Sequence, residues 1–192
     1  MSSTKSMSIK TDKKESLLKS AMEIFKTKGI TNTTVADIAK YAGTAKGTFY
    51  LYFKDKDEII RTIIMNEASK LLENAINLSK NLKTEKASDK VIFVANELMN
   101  AFLENIKYVE IIHKNLYTGL FSKSDNDVFS NAVKEFVANG KEKDTVKAEK
   151  KLYIIIEMVG GVFYNSITNN EPYCLDDIKD ELFECIRSIV DN

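Results

Sequence analysis

The chain has 192 residues, 44% hydrophobic and 29% charged, with zero formal net charge, one proline, seven glycines and one histidine. That length buries a proper core and holds one or two domains, and the scarcity of Pro, Gly and strand-like alternation predicts an all-α fold. One histidine, two late cysteines, no HExxH and no phosphate-cradling glycine loop leave no nucleophile–base set, so an enzyme is disfavoured and no catalytic residue, metal or cofactor is expected.

The zero net charge hides an asymmetry. Residues 1–70 carry 13 Lys/Arg against 8 Asp/Glu, and residues 71–192 carry 15 against 20. A basic front and an acidic back fit an N-terminal anion-binding module on a body that avoids nucleic acid. On one helix, Cys174 and Cys185 would lie about 16 Å apart at 1.5 Å per residue, too far for a disulfide, so reduced thiols are expected. The opening MSSTKSMSIKTDKKES has no apolar signal core, and the most apolar run, Leu152 to Tyr164, is interrupted by Glu157 and too short to span a bilayer. The expectation is a cytoplasmic protein with no membrane partner.

In chain order, residues 1–10 read as a polar, basic, flexible tail. A first helix follows from about Asp12 to Lys28, with Leu17, Leu18, Ala21, Met22 and Phe25 as its stripe and Gly29 closing it. Thr34 and Asp37 have the spacing of a capping box, and Val35, Ile38, Ala39 and Ala42 make one apolar face that Gly43 terminates. Thr44 then serves as cap for a short helix carrying Ala45, Lys46, Gly47, Thr48, Phe49 and Tyr50. Two short helices joined at a Gly form a helix-turn-helix, whose second member can enter a DNA major groove. Asp55 and Glu58 repeat the capping spacing and open a long rod over 55–81, with neither Gly nor Pro inside it. Further helices are predicted over 88–104, 106–118, 125–139, from about Thr145 to Thr168, and from Asp176/Asp177 to the end. The domain division follows: a helix-turn-helix domain over 10–56, the 55–81 helix as link, and a helical domain over 82–192.

Within the short second helix, Lys46 and Thr48 project towards a groove while Phe49 faces inward. Lysine can donate to guanine and threonine can touch a thymine methyl. Thr44 and Ala45 sit at the N-terminal end that meets base edges first. Tyr50, Tyr52 and Lys56 are candidates for phosphate, with packing beneath the helix equally open for Tyr52. Thr34 either only caps its helix or also presents that helix's N–H groups to a phosphate. Arg61 and Arg187 are the only arginines and neither lies on the reading helix, so recognition per half-site is modest and two subunits are needed.

Residues 12–64 resemble the DNA-binding domain of the tetracycline-repressor-like (TetR) family of bacterial regulators. The resemblance rests on AMEIFKTKG, TTVADIAKYAG and above all KGTFYLYFKDKDEII, in that order and spacing. It covers the first third of the chain. It implies DNA contacts at Thr34, Lys46, Thr48, Tyr50 and Lys56, a tolerated Gly47 that admits close approach to DNA, and at Tyr52 a departure from a frequent histidine. It also implies about nine helices, a homodimer through the last two of them, a palindromic operator on double-stranded DNA, and a ligand pocket in the C-terminal domain.

For the dimer interface, Gly160 and Gly161 permit close helix approach, and Val159, Leu182, Cys185, Ile186 and Ile189 are the accompanying candidates, with packing inside one subunit the competing use. Pocket candidates are Phe93, Phe102, His113, Tyr117, Phe129, Phe136, Tyr153 and Phe163, although aromatics at helical spacing commonly build core. The wealth of Phe, Ile and Met suits an apolar small-molecule effector. The function expected is a dimeric DNA-binding regulator, a repressor released by its effector; the alternative is a ligand-independent DNA-binding protein acting through a protein partner or DNA architecture.

Overall fold

In the computed structural model the described residues are 2–104, 109, 113 and 128–192. Among them all regular structure is helical: α1 (Ser2–Lys28), α2 (Val35–Tyr41), α3 (Lys46–Tyr50), α4 (Lys56–Ser79), α5 (Ala87–Leu103), α6 (Val128–Asn139), α7 (Thr145–Thr168) and α8 (Leu175–Asp191). Of the helix expected over 106–118 only Val109 and His113 are described, both helical; the rest, with Tyr117, lies outside the described residues. The flexible tail expected at 1–10 is corrected: α1 already starts at Ser2. Neither Gly nor Pro interrupts residues 2–28, so nothing local stops helical propagation towards the N-terminus.

The chain forms two compact units, Met1–Ile64 and Met65–Asn192, with the boundary inside α4. The first is a small, filled unit. Leu17 and Ala21 of α1, Ile38 of α2, Phe49 of α3, Phe53, and Ile59 and Ile63 of α4 form one buried cluster. Leu17, Ala21, Ile38, Phe49 and Ile59 are fully inaccessible. The helix ends are set locally. Gly29 and Gly43 take φ of +79° and +64°, a region where a Cβ is strained, so glycine closes α1 and α2 cheaply. Beyond Gly43, the Thr44 N–H donates to Ala39 O at 2.8 Å, satisfying an otherwise orphaned carbonyl of α2.

The second unit is larger and has a divided core. One buried cluster draws on Ile92, Val133, Phe136, Leu152, Ile155, Ile186 and Val190; the other on Met99, Val109, Phe163 and Leu182. α8 packs against both α5 and α7, and α6 packs against α7. Polar ties join α5 to α8: Ser88 Oγ donates to Asp191 Oδ2 at 2.8 Å, and Arg187 pairs with Asp89. That guanidinium, then the Thr84 hydroxyl, holds the Asp89 carboxyl below its usual range. α7 starts at Asp144, whose carboxylate accepts from the Val146 and Lys147 N–H groups. No described helix is long and apolar enough to cross a membrane.

Candidate nucleic-acid interface and apolar cavity

The first unit presents α2 and α3 from one small core. The capping box predicted at Thr34 is complete: the Thr34 hydroxyl accepts from Asp37 N–H at 3.2 Å, and Thr34 N–H donates to Asp37 Oδ2 at 2.9 Å. The same carboxylate oxygen takes the Lys28 ammonium at 2.9 Å and the Thr34 hydroxyl at 2.7 Å. Lys28 foremost, then Thr34, holds the Asp37 carboxyl well below the ordinary range. α4 is capped similarly, Asp55 Oδ1 accepting from Glu58 N–H at 2.8 Å while the Glu58 carboxylate accepts from Lys54 N–H.

On α3, the side towards the core is Phe49, fully buried and against Phe53 with ring centroids 5.6 Å apart. The opposite side carries Ala45, Lys46, Gly47 and Tyr50, all exposed, with Thr48 half-buried beside them. A Cβ added at Gly47 would meet nothing within 4 Å, so the position offers a flat, unobstructed backbone. The cap assignment differs from the sequence expectation. Ala45 is the N-cap, and the Thr44 hydroxyl turns back to Ala39 O at 3.3 Å. The turn that follows Gly43 directs it there, which leaves the first N–H groups of α3 without a side-chain cap.

Tyr52 is half-buried and packs against the cluster around Phe49. Lys56 is the larger surprise: its ammonium donates to Ile30 O at 2.9 Å and to Thr33 O at 3.0 Å. It braces the α1–α2 connector, with one of its three N–H bonds left for another acceptor. Lys56 and Ile30 are 26 positions apart, so no local signal announces that contact.

The second unit holds a cavity of about 210 Å³ between α4, α5, α6 and α7. Of the expected aromatics, Phe102, His113, Phe129, Phe136 and Phe163 line it. Phe93 and Tyr153 do not. Phe93 faces a separate shallow cleft with Phe183, and Tyr153 is on the exterior of α7. Helical phase separates them: Phe93 lies off the stripe Val91–Val94–Leu98–Phe102 that α5 turns to the cavity. His113 stacks on Tyr164, centroids 4.1 Å apart. Sequence reasoning passed over Ser79, Lys90, Glu135 and Asn139, which also line the cavity. The available signal was Lys90, a lysine set within the apolar stripe of α5.

The proposed interface residues separate by exposure. Leu182 and Ile186 are buried inside the chain's own core, 2% and 0% exposed, and leave no surface for a second copy. α8 has its Leu182–Ile186–Val190 face turned inward, which accounts for their burial. Val159 and Ile189 pack on the core, and Gly160 borders the cavity. Cys185 is exposed, Cys174 and Gly161 are half-buried, and Val146 and Ile154 on α7 are 57% and 51% exposed. Among the described residues no cluster of His, Cys, Asp and Glu could hold a metal ion.

Comparisons with known proteins bear on both units. Residues 17–63 match the family model of bacterial regulatory proteins, tetR family. The chain is 46% identical over 54 residues to the uncharacterized HTH-type transcriptional regulator YvdT of Bacillus subtilis (strain 168), a match spanning only 28% of either chain. It is 22% identical over 183 residues to the fatty acid metabolism regulator protein of the same organism, covering 92% of this chain and 94% of that one. The crystal structure of the transcriptional regulator FadR from Bacillus subtilis in complex with stearoyl-CoA superposes with a TM-score of 0.54 at 17% identity, over 92% of this chain and 98% of that one. A TetR family transcription regulator from Marinobacter aquaeolei VT8 superposes with a TM-score of 0.51 at 17% identity, over 93% and 95%. At such identities the shared property is the fold, an N-terminal helix-turn-helix followed by a helical body. The helix-turn-helix domain itself, residues 17–63, matches the tetR family of bacterial regulatory proteins.

Proposed function

We propose that the protein is a sequence-specific DNA-binding transcriptional regulator. It acts as a homodimeric repressor on a palindromic operator and is released by a small-molecule effector held in the cavity of its second unit. The observation that carries the reading is the two-sided α3: Phe49 locked in the core, with Lys46, Gly47, Thr48 and Tyr50 on the outward face. Lys46 and Thr48 meet base edges, and Tyr50 meets phosphate together with the uncapped N–H groups at the start of α3. Thr34, Thr44, Tyr52 and Lys56 position that helix through their caps, packing and backbone bonds, and Lys56 keeps one N–H for phosphate.

One α3 with a single lysine and no arginine reads weakly, so two copies spaced about 34–36 Å apart, one helical turn of DNA, supply the affinity. The exposed Val146, Tyr153 and Ile154 recur along one side of α7, beside Gly161, and suit burial against a second copy. For release, α4 matters. It runs unbroken from Lys56 to Ser79, and its residues from Met65 onward border the cavity. An effector that fits only one setting of α4 shifts the population towards dimers whose α3 helices no longer match the operator. The neighbour solved with stearoyl-CoA supports an effector with a long apolar part.

The test is a footprint and salt-titrated gel shift on the DNA upstream of the protein's own coding sequence. Wild type is expected to protect a palindrome, and Lys46→Ala with Tyr50→Ala to abolish protection while leaving the thermal melt within about 0.5 kcal/mol. Binding unchanged by the double substitution would sink the reading.

A further inference from the structure

On the reading that the cavity is the effector site, we infer that it is built for a single-tailed amphiphile with an anionic head. The head lies against Lys90, and the tail runs towards Phe102 and Phe163. The shape comes first. α5 faces the cavity from Ala87 to Phe102, roughly 22 Å at 1.5 Å per residue. α4 faces it from Met65 to Ser79, a similar length. A narrow space that follows two helices for most of their length fits an extended alkyl chain better than a compact fused-ring compound.

Polarity then assigns the ends. The polar lining groups Ser79, Lys90, Glu135 and Asn139 gather where α4 finishes, α5 begins and α6 finishes. The opposite end is aromatic, with Phe102, Phe129 and Phe163. Charge within the polar group is unbalanced. Lys80 and Glu135 pair at 2.8 Å. The Lys90 ammonium donates instead to Asn139 Oδ1 at 2.6 Å, a neutral acceptor, and among the described residues it has no carboxylate within salt-bridge distance. Asn139 is itself pinned by donating to Glu135 O at 2.7 Å, so its oxygen is aimed at the lysine. Two ammonium groups and one carboxylate leave one positive charge at the polar end of the cavity. An anion there gains a charge-assisted bond without breaking the Lys80–Glu135 pair. His113, at the aromatic end, is exposed with one ring face covered by Tyr164, which makes it a worse seat for a head group.

The shared chemistry is an alkyl chain joined to an anionic group, either a free carboxylate directly at its end or the phosphates of coenzyme A beyond a neutral thioester and its pantetheine arm. Titration calorimetry on the full chain with palmitate, palmitoyl-CoA and hexadecanol separates these sources, and gel shifts on the same samples follow DNA release. Wild type is expected to prefer an anionic probe over hexadecanol by about tenfold, the size of one charge-assisted hydrogen bond. Lys90→Met removes that preference and leaves hexadecanol unchanged, Lys90→Arg keeps it, and Leu98→Trp blocks all three probes. Equal affinity of wild type for hexadecanol and both anions overturns the inference, as does loss of preference on His113→Gln rather than Lys90→Met, or an absence of binding by every probe. Anion-selective binding through Lys90 that releases no DNA leaves the inference standing and overturns the effector reading instead.

Discussion

The two units solve opposite packing problems with the same kind of helix. In the first, five fully inaccessible side chains meet around Phe49, so the core is filled and the outer face of α3 is held to one geometry. In the second, α4, α5, α6 and α7, together with Val109 and His113, border an unfilled space of about 210 Å³. A filled core suits a surface that must match a rigid DNA groove. An unfilled one forfeits packing contacts, and a ligand can supply them. The difference teaches that similar helical patterning yields a filled core in one place and a hollow one in another, according to whether the facing stripes close on each other.

The largest expected effect on that contrast is Phe49→Ala. Deleting a fully buried ring should cost about 3–5 kcal/mol in chemical denaturation and remove DNA binding with it. Next comes Lys56→Met, which strips the Ile30 and Thr33 carbonyls of their donor; a loss of about 1–3 kcal/mol, with weaker operator binding, is expected. A matched pair of enlargements then probes filled against hollow. Leu17→Phe should destabilise by about 1–3 kcal/mol, whereas Val94→Leu, growing into the cavity, should change stability by less than about 1 kcal/mol. If both cost the same, the contrast between the cores fails.

The smallest effect is one of pH. Asp37 is held below its unfolded carboxylate value, so its contribution is fully present above the ordinary carboxylate range and is lost as the pH falls through and below it. Melting curves of Asp37→Asn should therefore be flatter than wild type in acid, and a variant that tracks wild type would remove the capping box from the account.

What was legible in the sequence was local. Thr34 and Asp37 are three residues apart, as are Asp55 and Glu58, and Gly29 and Gly43 follow within two residues of the helices they close. Each of these rests on bonds within one turn, so spacing alone reveals it. The stripe on α1 and the inward Phe49 were equally readable, because helical period decides which side chains share a face. The early start of α1 was missed because a polar helix and a polar tail share the same composition. The hydroxyl of Thr44 was misassigned for want of the turn that aims it.

By itself, then, the sequence determined most of the helices, the caps at Thr34 and Asp55, and a short helix with one apolar side, all consequences of hydrogen bonds and periodicities spanning a few residues. Only the tertiary structure decided that Lys56 reaches back to Ile30 and Thr33, that Leu182 and Ile186 are spent on the chain's own core, and that Phe102 and Phe163 face a space while Phe93 and Tyr153 do not. Those outcomes depend on which stripes meet which, across separations where no residue carries a record of its partner.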